Sequence, residues 1–143
     1  MPDGVLRLII GVVLLLHGIA HGGAMGALWW VSARPGTDTG GWTAARLWAA
    51  PALGTSATTA VAVGFWTVSM LAFVIAGLGF IGVVVPPEWW RPAAVLGAAV
   101  SLLGIALFAG TWPPFNTLAA VAVNIGVLVA VFLLRWGSEP MGT

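Results

Sequence analysis

Hydrophobic residues are concentrated in four long stretches, residues 5–28, 58–85, 93–110 and 117–134, with very few polar interruptions. Crossing the hydrocarbon of a bilayer takes about 20 apolar residues in a helix, and a lone segment can satisfy its backbone there only by helical hydrogen bonds. The pattern therefore predicts four transmembrane helices. The links Pro86-Pro87-Glu88-Trp89-Trp90-Arg91-Pro92 and Thr111-Trp112-Pro113-Pro114-Phe115-Asn116 are tight, which forces neighbouring helices to run antiparallel. The first connection, residues 34–57, is longer. Pro35, Gly36, Gly40 and Gly41 mark turns in it, and residues 43–50 are expected to form a short helix lying in the interface. The expected fold is all-α: a single domain over residues 1–143, built as an up-down-up-down four-helix transmembrane bundle with a long first loop.

Arg7 ahead of an apolar core, with Gly22, Gly23 and Ala24 after it, resembles a signal peptide. Apolar character persists to Trp29 and Trp30, so the first run is read as a retained helix. Tryptophans support the layout: Trp29 and Trp30, Trp89 and Trp90, Trp112 and Trp136 fall at run ends, as an interfacial aromatic belt requires, and only Trp66 sits within a span. Trp42 and Trp48 belong to the long loop. Small residues at four-residue spacing predict close helix packing at Gly18, Gly22 and Gly26, at Ala93, Gly97 and Ser101, and at Ala122, Gly126 and Ala130.

The polar exceptions carry the functional signal. His17 and His21 lie in the first run, Ser69 in the second, Ser101 in the third and Asn124 in the fourth. With the interface anchors as rulers and 1.5 Å per residue, His17, Ser101 and Asn124 fall within about 3 Å of the midplane. His21 and Ser69 lie about 6 Å toward the long-loop side. Polar side chains in hydrocarbon need partners, so one shared layer marks the place to look for a site.

Composition narrows the chemistry. The chain is 60% hydrophobic and 6% charged, with five basic residues, all Arg, against four acids; no basic stripe exists that would suit nucleic acid. With no Cys, disulfides, thiolate metal sites and cysteine nucleophiles are excluded. His17 and His21 stand one turn apart on one helix face. They can share a metal, yet a third ligand such as Asp38 would have to fold in, because no acid lies within a span. Either imidazole alone suits haem, but the two cannot clamp one iron from opposite sides. Ser101 with His17 could be drawn as a nucleophilic pair, without an acid at depth or an oxyanion-hole motif. P-loop, dinucleotide and HExxH motifs are absent. Taken singly, Ser69 and Ser101 are expected to bond their own helix carbonyls, and the whole layer could simply hold helices together.

A lipophilic molecule bearing a carbonyl or hydroxyl fits the layer best. His and Asn each donate and accept hydrogen bonds, and Trp66 with Phe65 and Phe73 can supply an aromatic wall. Quinones match, since their carbonyls accept such bonds and their reduction takes up protons that a His can shuttle. The expected ligand-binding residues are His17, His21, Asn124, Ser101, Ser69 and Trp66, with no metal.

Arg7-Leu8-Ile9-Ile10-Gly11 followed by Leu14-Leu15-Leu16-His17-Gly18-Ile19-Ala20-His21 resembles the opening helix of the DoxX-like family of small four-helix bacterial membrane proteins. Arg7, Gly11, Gly18 and His21 are the matching positions, with His21 where the family has Lys. The resemblance implies a subunit of a quinone-linked redox assembly in the bacterial cytoplasmic (inner) membrane. Three Arg on the side of the termini, Arg7, Arg91 and Arg135, against Arg34 and Arg46 in the loop, predict cytoplasmic termini. Partners would be the lipid bilayer and other membrane subunits or further copies of the chain. The competing readings are a noncatalytic accessory subunit docked on a larger membrane protein, a haem- or metal-binding anchor, and a carrier or channel; the last is disfavoured because four short spans enclose little pore.

Overall fold

A computed structural model describes residues 4–34, 39, 41–45, 47 and 53–135. Asp38, Arg46, Trp48, Trp136 and the turn positions Pro35, Gly36 and Gly40 lie outside them. Among the described residues all regular structure is helical. Helix α1 spans Gly4–Ala33, α2 Thr55–Ile81, α3 Trp90–Leu107 and α4 Pro114–Leu128. A 3-10 turn, Pro87–Trp89, leads into α3, and a π turn, Val129–Leu133, extends α4. All four helices are long and apolar enough to cross a membrane. The protein is an all-α, multi-pass four-helix bundle.

Helix ends differ from the hydropathy reading for local reasons. Both α3 and α4 start about a turn early: Pro87 opens the 3-10 turn that leads into α3 and Pro114 opens α4, positions where the missing N–H has no intrahelical partner to lose. Apolar Val83, Val84 and Val85 were expected to continue α2. Gly82 ends it instead, in the left-handed region at φ 83. Its N–H donates to the Gly79 carbonyl, and Val83 N–H donates to Leu78 O at 3.0 Å, a Schellman closure.

Antiparallel order is visible in the contacts themselves. Between α1 and α2, Gly11 meets Ile81, Gly18 meets Met70 and Phe73, and Thr67 Oγ1 donates to Met25 Sδ. Between α2 and α3, Gly79 meets Trp90, Gly97 takes the Phe73 ring and Gly104 the Trp66 ring. Between α3 and α4, Ser101 bonds Asn124 and Arg91 bonds the Val131 carbonyl. Small residues are thus sockets for large ones, but only on some faces. Around Gly26 and Gly126 a Cβ would find nothing within 4 Å, so the expected small-residue contacts at these positions are not made. Gly126 is exposed on the outside of the bundle.

Two apolar clusters divide the interior. Leu14, Phe73, Phe80, Trp90 and Val131 fill the half opposite the long loop; Leu28, Trp66, Phe108, Trp112 and Ala120 fill the long-loop half. Trp90 and Trp112, expected in the interfacial belt, are therefore interior, whereas Trp29 and Trp89 are exposed as belt residues are. At the end opposite the loop, Arg7 Nε donates to Phe80 O at 2.7 Å and Arg91 Nη2 to Val131 O at 3.2 Å. Each guanidinium sits on carbonyls at a neighbouring helix C-terminus, where the helix dipole favours a cation.

The interfacial helix expected over residues 43–50 does not form at its described positions Thr43, Ala44, Ala45 and Leu47. The segment runs along the α3–α4 link instead. Thr43 N–H donates to Thr111 O at 3.1 Å and Thr43 Oγ1 to Gly110 O at 2.9 Å, pairing backbone that a one-turn helix would leave unsatisfied. Ala45 is drawn into the core, and Trp42 is laid over Trp112, ring centroids 6.2 Å apart.

Candidate functional site

Between the two apolar clusters, four polar side chains from three helices form one connected circuit. His21 Nδ1 lies 2.9 Å from the carbonyl oxygen of His17, one turn back on α1. A carbonyl only accepts, so Nδ1 carries the proton and the Nε2 of a neutral ring is an acceptor. Ser101 Oγ, 2.9 Å away on α3, must then donate to His21 Nε2. Its lone pairs accept from Asn124 Nδ2 on α4 at 2.7 Å. Asn124 Oδ1 in turn accepts from His17 Nε2 at 3.0 Å. Each donor atom in the loop meets one acceptor, with the second Nδ2 proton of Asn124 left over, and the polarity of the whole is set by a single backbone carbonyl.

Each residue is placed by local sequence. The four-residue spacing stacks His17 and His21, ring centroids 4.9 Å apart and nearly perpendicular. Phe73 of α2 meets the His17 ring edge-on at 4.6 Å and is itself seated against Gly97 of α3. Ser101 follows Gly97 by one turn on the same α3 face, which is why it reaches the interior. His21, Ser101 and Asn124 are buried to 1% exposure or less, and His17 is half-buried.

Ser101 bonds across helices to His21 and Asn124, where its own helix carbonyl had been expected. It faces His21, not His17, as imidazole partner. Ser69 is fully buried, yet its Oγ has no hydrogen-bond partner and takes no part in the circuit. Trp66 is also buried with Nε1 unpartnered; it packs at 4.7 Å on Trp112 and 6.1 Å from His21. Phe65 turns toward Phe108. Metal chelation by the His pair would require dismantling the circuit, since His17 Nδ1 is the only ring nitrogen left over. Among the described residues no three His, Asp or Glu side chains gather to hold an ion.

A pocket of about 160 Å3 opens on the circuit. His17, Ala20, His21 and Ala24 of α1 form one wall, and Phe115, Asn116, Ala119, Ala120 and Val123 of α4 the other. Trp42 and Trp112 close the long-loop end. Hydropathy did not single out Trp112 or Trp42 for this role, because a Trp at the end of an apolar run reads as an interface anchor. The available signal was the shortness of the α3–α4 link, which holds its side chains over the end of the bundle.

Fold and site together define a multi-pass four-helix membrane protein with a closed polar circuit at mid-helix and a pocket beside it. No protein family, curated protein or solved structure matches the chain.

Proposed function

We propose that the circuit and its pocket bind a lipophilic ligand of the quinone class, and that the protein serves as a subunit of a redox assembly in the bacterial inner membrane. The observation that supports this most is that both imidazoles line an open pocket with aromatic and alanine walls. A network serving only to hold helices together gains nothing from a cavity beside it, since empty space forfeits packing. His17 would contact the ligand, His21 and Ser101 would hold its neighbours in one protonation pattern, and Asn124 would orient the His17 ring. The resemblance of Arg7, Gly11, Gly18 and His21 to the opening DoxX-like motif points the same way.

Binding is read by melting temperature. A quinone with a short alkyl tail should stabilise the wild-type protein in mild detergent through mass action, by about 2.7 kcal/mol at a hundred times its Kd. In His17→Ala that ligand-induced shift should vanish, whereas the ligand-free variant itself should lose about 1 to 2 kcal/mol by leaving Asn124 Oδ1 unpaired. No shift in the wild type, with only bulk lipid found by mass spectrometry in the purified protein, would favour the accessory-subunit reading, in which the circuit is helix glue and the apolar faces dock on a larger partner.

The excess of Arg at the end that carries the termini, Arg7, Arg91 and Arg135 against Arg34 and Arg46 in the loop, supports cytoplasmic termini. Single-cysteine variants are clean here because the chain has no Cys. Thr55→Cys, exposed at the start of α2, should react with an impermeant maleimide added to intact cells, and Glu88→Cys, exposed at the opposite end, should not. The reverse labelling would invert the orientation and leave the bundle intact.

A further inference from the structure

The hydrogen-bond polarity of the circuit specifies what kind of polar group His17 can take from a ligand, an inference that rests on the ligand-binding reading above. His21 has both ring nitrogens engaged, Ser101 donates and accepts, and Asn124 spans Ser101 and His17. His17 gives its Nε2 proton to Asn124, so in the neutral ring Nδ1 holds a lone pair, and among the described residues nothing donates to it. His17 lines the pocket. The unused hydrogen-bonding group of His17 is therefore an acceptor, while elsewhere in the lining Trp112 Nε1 is a buried N–H without a partner and Asn116 is an exposed amide.

Access and size restrict the ligand further. Helices α1 and α4 are not packed together along their length; His17 and Asn124 bridge them at mid-height and the pocket lies beside that bridge on the long-loop side. Ala20 of α1 and Ala119 of α4, on the two walls of the seam, are both exposed, so the pocket opens sideways between these helices. Its volume of about 160 Å3 is close to that of an engineered cavity of about 150 Å3 that admits benzene. One six-membered ring fits, and an alkyl tail can stay between the helices in the bilayer.

We propose that the pocket takes a single-ring lipophilic alcohol, a phenol or hydroquinone, which slides in from the bilayer between α1 and α4 and donates its hydroxyl hydrogen to His17 Nδ1. The oxidised carbonyl form lacks that donor and meets a lone pair. A hydroxyl can donate to His17 Nδ1 and still accept from an N–H of the lining such as that of Trp112 or Asn116, whereas a carbonyl can only accept, so within the quinone class the site favours the reduced partner.

The test uses two matched pairs in phosphatidylcholine nanodiscs: para-octylphenol against its methyl ether, and decylhydroquinone, kept under argon with ascorbate, against decylbenzoquinone. Affinity is read from tryptophan fluorescence, with Trp42 and Trp112 in the pocket wall, and expressed per mole fraction in the bilayer. The phenol and hydroquinone should bind about fivefold more tightly than their partners, the factor of one net hydrogen bond. That ratio should fall to about one in His17→Phe, and Ala119→Phe, which narrows the seam away from the circuit, should weaken all four. Equal affinities in the wild type, or a preference for the ether and quinone, would overturn the donor assignment while leaving ligand binding in place. A preference that survives in His17→Phe would overturn it as well. Should His17→Phe fail to fold, the wild-type ratio alone decides. Unchanged binding in Ala119→Phe would overturn the lateral route. If none of the four binds the wild type, the proposed function falls too.

Discussion

Gly77→Val should lower the stability of the bundle by about 3 kcal/mol, at the upper end of what overpacking costs. A Cβ at Gly77 would stand 2.8 Å from the Gly11 carbonyl oxygen and 2.6 Å from Leu15 Cγ. The first of these neighbours is backbone, so no side-chain rotation relieves the clash and α1 must move off α2. Gly126 is the matched control: an exposed glycine of similar composition context on α4, with nothing within 4 Å of a Cβ. Gly126→Val should change stability by less than about 0.5 kcal/mol. Reversible unfolding by sodium dodecyl sulfate in mixed micelles measures both. Similar losses at the two glycines would mean that the α1–α2 contact is not the close one described.

Asn124→Leu should cost about 2 kcal/mol, more than an average interhelical polar contact, because it breaks two bonds at once and leaves the His17 N–H and a Ser101 lone pair unmatched. Leucine keeps the apolar bulk, so the loss reports on polarity and not on a cavity. Ser101→Ala should cost about 1 to 2 kcal/mol by stranding His21 Nε2 and the Asn124 amide. The double variant should lose clearly less than the sum, since each single change already disables the same circuit. Ser69→Ala should be neutral or stabilising, because the Ser69 hydroxyl is buried without a partner. Additive losses at Asn124 and Ser101, or a loss at Ser69 as large as at Asn124, would show that the four residues do not act as a unit.

Hydropathy alone was enough for the four helices and their order. In a bilayer an apolar stretch of sufficient length has no alternative to the helix, and short links leave antiparallel neighbours as the only arrangement. Helical spacing put His17 and His21 on one face, and counting from interfacial Trp and Arg residues put Ser101 and Asn124 at their depth. Position along each helix axis is one-dimensional information, and the chain carries it directly.

Rotation about each axis is not of that kind, and only the tertiary structure decided it. Ser69 and Ser101 lie at similar depth in helices of similar composition, yet Ser101 faces His21 and Ser69 faces no acceptor, because Gly97 and Gly104 let α3 close onto Phe73 and Trp66 and so fix which way α3 turns. The same packing made sockets of Gly18 and Gly97 and left Gly26 and Gly126 open, although all four read alike as small residues at helical spacing. Trp112 and Trp42 entered the pocket wall because Thr43 pairs with the α3–α4 link across a long separation in sequence. Such pairings depend on which surfaces fit each other in three dimensions, and neither the hydrophobic period nor the spacing of polar residues within one helix encodes that fit.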